Sequence, residues 1–331
     1  RVPSKQPYAD PADTGIAELA AKVSSHKHIK LHLNSTIAQT SGAPGRFSVD
    51  IAQESGATVT EEVGALIQAT GFTPYDMMQL PELGAGKSPN VVDQLGLEKL
   101  VKAANGAAVK RPSDGGEVKS VVFIQCAGQR DEAMESGGRH LPYCSGHCCA
   151  TSIKQAMYFK DANPDIDTMV MYTDLRVPGT GEDFYRSGQQ KGVTFTKGKT
   201  ASVEAAGSDG KGACKVNFKD LILNEDVTVE ADLVVLATGM VASSGMNIDI
   251  PEEEVAKMEV KPVSILNLNY RQGKDMPQLK NGFADSHFIC FPYETRRTGI
   301  YAAGPVRRPM DIAQAAEDAT GAALKAIQAV E

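Results

Sequence analysis

The chain has 331 residues, 42% hydrophobic and 23% charged, which suits a globular protein of two domains or one large one. Its net charge of −7 leaves no basic footprint for nucleic acid or anionic lipid, and no apolar run approaches the roughly 18 residues that span a bilayer. Six cysteines are too few for a secreted disulfide framework, so the expected compartment is reducing cytoplasm. The sequence opens RVPSKQPYADP, without initiator Met or signal-peptide core, and reads as a piece cut from something longer.

Helical spacing of Ile16, Leu19, Ala20 and Val23 predicts a first helix over 15–23, followed by a strand over 29–33. Two further strands, 46–52 and 62–69, are separated by turn-rich stretches, and the second runs into Ala69-Thr70-Gly71. Residues 72–115 are punctuated by Pro and Gly and read as a connection holding one helix, 91–104. A buried strand over 121–125, a helix over 149–160 and a strand over 168–172 then make a βαβ unit, for which a parallel sheet is expected. A helix over 181–191 and a strand over 193–197 follow. A meander of 201–204, 213–218 and 227–229 leads to a buried strand, 232–236, that ends in Ala237-Thr238-Gly239. The order strand, meander, strand, Ala-Thr-Gly thus occurs twice, 168 residues apart. The final part holds an apolar run at 288–291, the strand end Gly299-Ile300-Tyr301-Ala302-Ala303-Gly304, and an Ala-rich helix from about 309.

Chemistry concentrates in VVFIQCAGQRDEAMESGGRHLPYCSGHCCATSIKQAMYFK, residues 121–160, where four cysteines are spaced C-x17-C-x3-C-C. The buried strand delivers Cys126 into a loop, and Cys144, Cys148 and Cys149 lead into the next helix. Zinc, buried thiols and a redox disulfide are the alternatives to an iron–sulfur cluster. Zinc sites favour C-x2–4-C pairs, which vicinal Cys148 and Cys149 with distant Cys126 fit poorly. Neither C-x2-C nor C-x4-C, the usual redox-disulfide spacings, occurs. A [4Fe-4S] cluster needs four thiolates, and a loop at a helix N-terminus can supply them and offset their charge. His147 is then a neighbour rather than a ligand. Cys214 and Cys290, set apart in apolar surroundings, are expected to be buried structural thiols.

The two Ala-Thr-Gly strand ends and the Gly-Ile-Tyr-Ala-Ala-Gly strand end together resemble the flavoprotein disulfide reductase superfamily. Small residues there let backbone approach a dinucleotide closely. The resemblance implies an α/β, Rossmann-like, ββα three-layer FAD/NAD(P)-binding fold. Its expected parts are a first FAD-type segment, 1–75, a linker, 76–117, an inserted dinucleotide-type domain carrying the cysteines, 118–243, and a second FAD-type segment, 244–331. It also implies flavin contacts at Ile37, Ala69, Thr70, Gly71, Gly304, Asp311 and Ile312. Pro305 stands where the superfamily has an Asp for the ribityl chain. Pro309 and Asp311 mark a helix N-terminus whose dipole suits a flavin edge. No G-x-G-x-x-G run occurs, so FAD is expected in the parent protein and not necessarily in this segment.

The runs FIQCAGQRDE, YCSGHCC, IKQA, DLRVPGTGEDFYR and ADLVVLATGMV are similar to the A-type subunit of heterodisulfide reductase. RVPSKQPYADPADTGIAELAAKV and ICFPYETRRTGIYAAGPVRRPMDIAQAAEDATGAA look like the B-type subunit of the quinone-interacting membrane-bound oxidoreductase. This family implies that Cys126, Cys144, Cys148 and Cys149 ligate a [4Fe-4S] cluster, with AMESGGRHLP as a surface loop. It implies an oxidoreductase subunit with FAD and [4Fe-4S] that relays electrons between the quinone pool and a cytoplasmic reductase of sulfur metabolism, adenylylsulfate reductase. Its partners would be other subunits of a membrane-bound complex, with no nucleic acid and no span of its own, so it would sit in the cytoplasm, peripheral to the membrane. The alternatives are a homologue of the heterodisulfide reductase A-type subunit performing flavin-based bifurcation, and a structural subunit whose cysteines hold zinc or nothing. The cysteine loop occupies the place of the nicotinamide pyrophosphate loop, which argues against NAD(P).

Overall fold

The computed structural model describes residues 9–11, 13–205, 210–245, 253, 257, 265–266, 279–284 and 290–330. The chain divides into two units, one of Thr14–Thr73 with Met240–Glu331 and the other of Pro74–Gly239 with Arg1–Asp13.

The first unit begins with α1, Ile16–Ser25, an amphipathic helix with no buried residue. The expected strand 29–33 is not a strand. Lys30 and His32 both reach Glu61, while Ile29, Leu31 and Leu33 are exposed. Its alternation is that of a half-buried strand, but no neighbouring strand pairs with it among the described residues. An antiparallel meander follows, β1 (Ser35–Ala43), β2 (Arg46–Gln53) and β3 (Thr58–Val63), with a register shift between Ile37 and Gln39. Then come the short strands β4 (Leu66–Gln68) and β5 (Phe72–Pro74).

The second unit is built on a seven-stranded sheet. Residues 76–117, read from sequence as a connection, supply its edge. Val91 and Val92 are not helical but form β6 (Val91–Asp93), pairing in parallel with Val234 and Val235. β-branched side chains suit that pleated position. Asp93 then caps α2 (Gln94–Ala104), its carboxylate accepting from Gly96 N at 2.6 Å. β7 (Ser120–Ile124), α3 (Cys148–Ala162), β8 (Asp167–Tyr172), α4 (Gly181–Gln190), β9 (Thr194–Glu204), β10 (Cys214–Asp220), β11 (Asp226–Ala231) and β12 (Leu233–Leu236) complete it. The order is β11-β10-β9-β8-β7-β12-β6. β9 is one continuous strand where the sequence suggests two. Its first residues pair in parallel with β8, and its later residues pair antiparallel with β10.

β7 is the pivot. It lies between β8, the next strand in the chain, and β12, which arrives more than a hundred residues later, and all three are parallel. The connections leave β7 in opposite directions, so its carboxyl end is a topological switch point, where an α/β sheet opens a crevice for ligands. Phe123, Val121, Leu233 and Val235 of the sheet pack with Leu97 of α2 and Ala156 and Phe159 of α3. A second cluster, Cys149, Ile153, Met157, Val177 and Phe184, joins α3 to α4.

The final part of the first unit adds β13 (Met240–Ala242), β14 (Ile300–Ala302) and α5 (Ile312–Val330). β14 pairs in parallel with β4. Of the apolar run 288–291, residues 288 and 289 lie outside the described residues. Cys290, expected to be buried, is exposed, while Cys214 is fully buried.

The amino ends of β7 and β12 are tied by one carboxylate. Asp232 accepts from Lys119 N at 2.8 Å, Ser120 N at 3.2 Å and Arg111 Nη1 at 2.7 Å. Removing it leaves two partly buried N–H donors without their acceptor, while Arg111 keeps Asp114. Asp232→Ala should therefore cost about 2 kcal/mol in urea unfolding, and a loss within error of zero would mean that the sheet does not depend on this tie.

Candidate metal centre

The loop after β7 begins with Cys126, whose φ of 57° is left-handed and therefore unfavourable for a residue with a Cβ. Gln125 N still bonds Met171 O at 2.9 Å, so the loop leaves the sheet between the ends of β8 and β12. Arg130 N and Asp131 N bond Tyr143 O and Leu141 O, and Leu141 N returns to Gly128 O at 2.9 Å. These bonds close the excursion between them. Asp131 holds its inside, accepting from Glu135 N at 2.7 Å and from Ser136 N at 3.0 Å and the Ser136 hydroxyl. The segment Ala133 to Pro142 is accordingly a mostly exposed loop on a fixed base, so Cys144 returns to the same end of the sheet as Cys126.

Cys148 and Cys149 are the first two residues of α3, and no side chain caps that helix start. Its first-turn N–H groups and dipole thus favour negative charge. Every pair among Cys126, Cys144, Cys148 and Cys149 is close enough for mutual electrostatic repulsion. Each sulfur also has an N–H donor. Gly146 N lies 3.4 Å from Cys144 Sγ, the Gln129 amide 3.4 Å from Cys148 Sγ, Arg176 N 3.4 Å from Cys149 Sγ, and Arg130 Nη1 4.0 Å from Cys126 Sγ. A neutral thiol accepts such bonds weakly, whereas a thiolate accepts them well. Burial pushes Cys148 up to about 12 and Cys149 up to about 11. Burial also raises Cys126, against the opposing hydrogen bond from Arg130. His147 Nδ1 is 3.3 Å from its neighbour Ser145 O and 3.8 Å from Cys148 Sγ.

Gln129 fixes the arrangement. Its amide donates to Ala237 O at 2.9 Å and its carbonyl accepts from Ser145 N at 3.2 Å. Gly239 makes room, because a Cβ there would collide with Gln129 and Ser145. The second Ala-Thr-Gly, read from sequence as space for a dinucleotide, is therefore filled by the cysteine loop. Gln125, buried next to Cys126, has both amide atoms without a hydrogen-bond partner among the described residues. The donor set thus fits a thiolate-held cofactor: four sulfurs, a donor for each, a helix start, and a buried amide left to be satisfied. Among the described residues, no three His, Cys, Asp or Glu side chains stand tightly enough to chelate a single ion.

In the first unit, Ala69-Thr70-Gly71 and Gly304 leave β4 and β14 side by side, Ala303 N bonding Gln68 O at 3.0 Å. Ala69 and Thr70 are exposed, and the Thr70 hydroxyl donates to Ser243 O. Ile37 lies apart from these strand ends, packed on the cluster of Phe47, Leu266 and Ile300, since Ile300 begins β14 and Gly304 follows its end. Asp311 caps α5, accepting from Gln314 N at 2.9 Å, with Ile312 next to it and partly exposed. The acid bonded to Gly304 is Asp318, 2.8 Å from Gly304 N, which also receives the Arg307 guanidinium. No sequence signal marks this bond, because its partners stand fourteen positions apart across loop and helix. These residues fit only part of a flavin site, since a phosphate-cradling glycine loop is absent from the sequence.

No protein-family model matches the chain. It is 33% identical over 270 residues to the A-type subunit of the H(2):CoB-CoM heterodisulfide,ferredoxin reductase of Methanothermobacter marburgensis, covering 80% of this chain and 37% of that protein. It is 34% identical over 284 residues to the first iron-sulfur A-type subunit of the CoB–CoM heterodisulfide reductase of Methanopyrus kandleri, covering 84% of this chain and 39% of that protein. The chain belongs to the family of the heterodisulfide reductase A-type subunit. It spans less than two fifths of the length of these relatives. In fold, this homologue is of the FAD/NAD(P)-binding reductase type. It resembles the thioredoxin reductase of T. acidophilum (TM-score 0.53, 16% identity, 94% of this chain and 80% of that one). It also resembles the bacillithiol disulfide reductase Bdr of Bacillus cereus (TM-score 0.51, 12% identity, 97% and 78%). No helix among its described residues is long and apolar enough to cross a membrane.

The raised thiols make the metal-free protein sensitive to alkali. Folded, Cys148 and Cys149 keep protons that the unfolded chain releases above the ordinary value of 9.0. Their contribution is therefore full below about pH 9 and is lost as pH rises toward 11–12. The melting temperature of chelator-treated protein should fall between about pH 8 and 10.5, and Cys148→Ala should flatten that fall from a lower start. A parent profile that is flat across this window contradicts the burial assignment.

Proposed function

We propose that the chain is an electron-transfer segment of a heterodisulfide reductase-like complex, in which Cys126, Cys144, Cys148 and Cys149 hold a [4Fe-4S] cluster. The observation that carries this reading is the pairing of each of four mutually close sulfurs with its own N–H donor at a helix start. When bound, such a cluster exchanges single electrons. Zinc sites favour C-x2–4-C pairs, and the C-x17-C-x3-C-C spacing of these cysteines is not of that kind.

The protein's own residues prepare the site. Gln129 fixes the start of α3 against the end of β12, and Gly146 N, Arg176 N and Arg130 supply donors that favour thiolate over thiol. Cys148 and Cys149 are buried, while Cys126 and Cys144 are partly exposed. A cluster held there would be nearest to solvent on the side of Cys126 and Cys144. FAD belongs to the same reading through the strand ends Ala69-Thr70-Gly71 and Gly304, with Asp311 and Ile312 at the helix start beyond them. Only part of its site is present in this sequence, and no step is assigned to it.

The partners are other subunits of such a complex, as the relatives' names say of those proteins. The runs similar to the quinone-interacting oxidoreductase point further, to electron exchange between the quinone pool and adenylylsulfate reductase. The protein would then be a cytoplasmic one held at the membrane by its partners. The second reading, a homologue of the heterodisulfide reductase A-type subunit performing flavin-based bifurcation, is favoured by the name of the M. marburgensis relative, a heterodisulfide,ferredoxin reductase.

Purified without oxygen, the protein should contain about four iron and about four acid-labile sulfide per chain and show a cluster EPR signal on reduction. Cys148→Ser should lose most of that signal, and zinc in place of iron would sink the cluster assignment. Co-purification from the native host separates the two complexes: a membrane quinone subunit with adenylylsulfate reductase supports the first, a hydrogenase or heterodisulfide-cleaving subunit the second.

A further inference from the structure

Arg130 is the second residue of the cysteine loop, apart from glycines, that has left-handed backbone next to a sulfur. Its φ is 60°, and that of Cys126 is 57°. Such conformations persist where the surroundings over-determine them. The Arg130 guanidinium is held on two sides, with Nη1 3.2 Å from Thr173 Oγ1 and Nη2 2.8 Å from Asp174 Oδ2. The same Nη1 lies 4.0 Å from Cys126 Sγ. The Arg130 side chain is 27% exposed and that of Asp174 57%, so water screens the carboxylate more than it screens the guanidinium. The donors to Cys144, Cys148 and Cys149 are two backbone N–H groups and a neutral amide. Of these four donors, only the one to Cys126 carries a full charge.

We propose that Arg130 is a positioning residue that, clamped by Thr173 and Asp174, holds a fixed positive charge against the Cys126 thiolate and raises the reduction potential of the group the four cysteines hold. This rests on the cluster reading above. One electron supplied by dithionite adds one negative charge to the site, no bond forms or breaks, and the guanidinium keeps its proton throughout. A positive charge fixed beside the sulfur therefore favours the reduced form.

The test is an EPR-monitored dithionite titration of the full chain purified without oxygen, with iron measured on every sample. Arg130→Gln should keep its iron and lower the equilibrium constant for reduction by about tenfold, or about 59 mV for one electron. Arg130→Lys should recover part of the loss, because it restores charge without the fork. Asp174→Asn separates positioning from simple charge. Removal of a carboxylate alone would raise the potential, whereas loss of the clamp lowers it, so a fall smaller than that of Arg130→Gln is expected. Arg186→Gln, on the exposed face of α4, should change nothing. Iron-replete Arg130→Gln at the parent potential, a rise in Asp174→Asn, or loss of iron from both Arg130 variants overturns the assignment. If the parent chain itself holds no iron, the cluster reading fails first and this one falls with it.

Discussion

One side-chain amide organises the site. Gln129 touches the end of β12 through Ala237 O, the returning loop through Ser145 N, and the first residue of α3 through Cys148 Sγ. The end of β12 is far in sequence from the other two and meets them only because β12 lies beside β7. Asp232 at the other end of the same two strands helps hold that neighbourhood. The amide fits because residue 239 has no side chain, and the Tyr75 ring covers Gly128 on the adjoining turn in the same way. Buried amides of this kind either find all their partners or destabilise the fold, so the bonds of Gln129 fix both the sheet end and the sulfur positions.

Burial sets the electrostatics. The Cys126, Cys148 and Cys149 thiols resist ionisation because they are withdrawn from water, and Cys148 is driven furthest. A metal must displace those protons, so binding releases acid and is opposed by the desolvation that raised the thiols. The N–H donors, the uncapped helix start and the Arg130 guanidinium are the compensation, each favouring sulfur that carries charge. Arg130 and Arg176 come from different segments, the cysteine loop and the loop after β8, so the site is completed by folding and not by the cysteine loop alone.

Much of the fold is legible in the sequence. Val121 to Ile124 and Leu233 to Leu236 are continuous apolar runs because both faces of those strands are covered, and the paired Ala-Thr-Gly ends identify the reductase scaffold. The clustered cysteines direct attention to the loop between β7 and α3, where the fold brings them together. What escapes depends on tertiary neighbours. Val91 and Val92 look like the start of a helix until Val234 and Val235 offer a ladder. Residues 29–33 alternate like a strand but have no partner strand among those described. Cys290 sits in an apolar run, yet that run ends in a turn at the surface. Gln129 and Arg130 look like ordinary loop residues, because their roles come from bonds to Ala237, Thr173 and Asp174, more than forty residues away. Ile37 is grouped with the flavin contacts only by the resemblance, and it packs on Phe47 and Ile300.

The switch point explains how a reductase-type scaffold can carry a cluster of cysteines without rebuilding its sheet. An α/β sheet opens a crevice where strand order reverses, whatever fills it. In a dinucleotide domain, glycines at the strand ends admit the ligand's phosphates. Here Gly239 admits Gln129, and a loop with left-handed Cys126 and Arg130 occupies the crevice. The helix start that would face a phosphate begins instead with Cys148 and Cys149. The positive end of α3 serves either anion, since phosphate and thiolate both gain from unpaired N–H groups and the aligned dipole. Replacing a bound nucleotide by a thiolate site therefore requires a new loop and a side chain to fill the glycine's space, while the strands and helix stay in place.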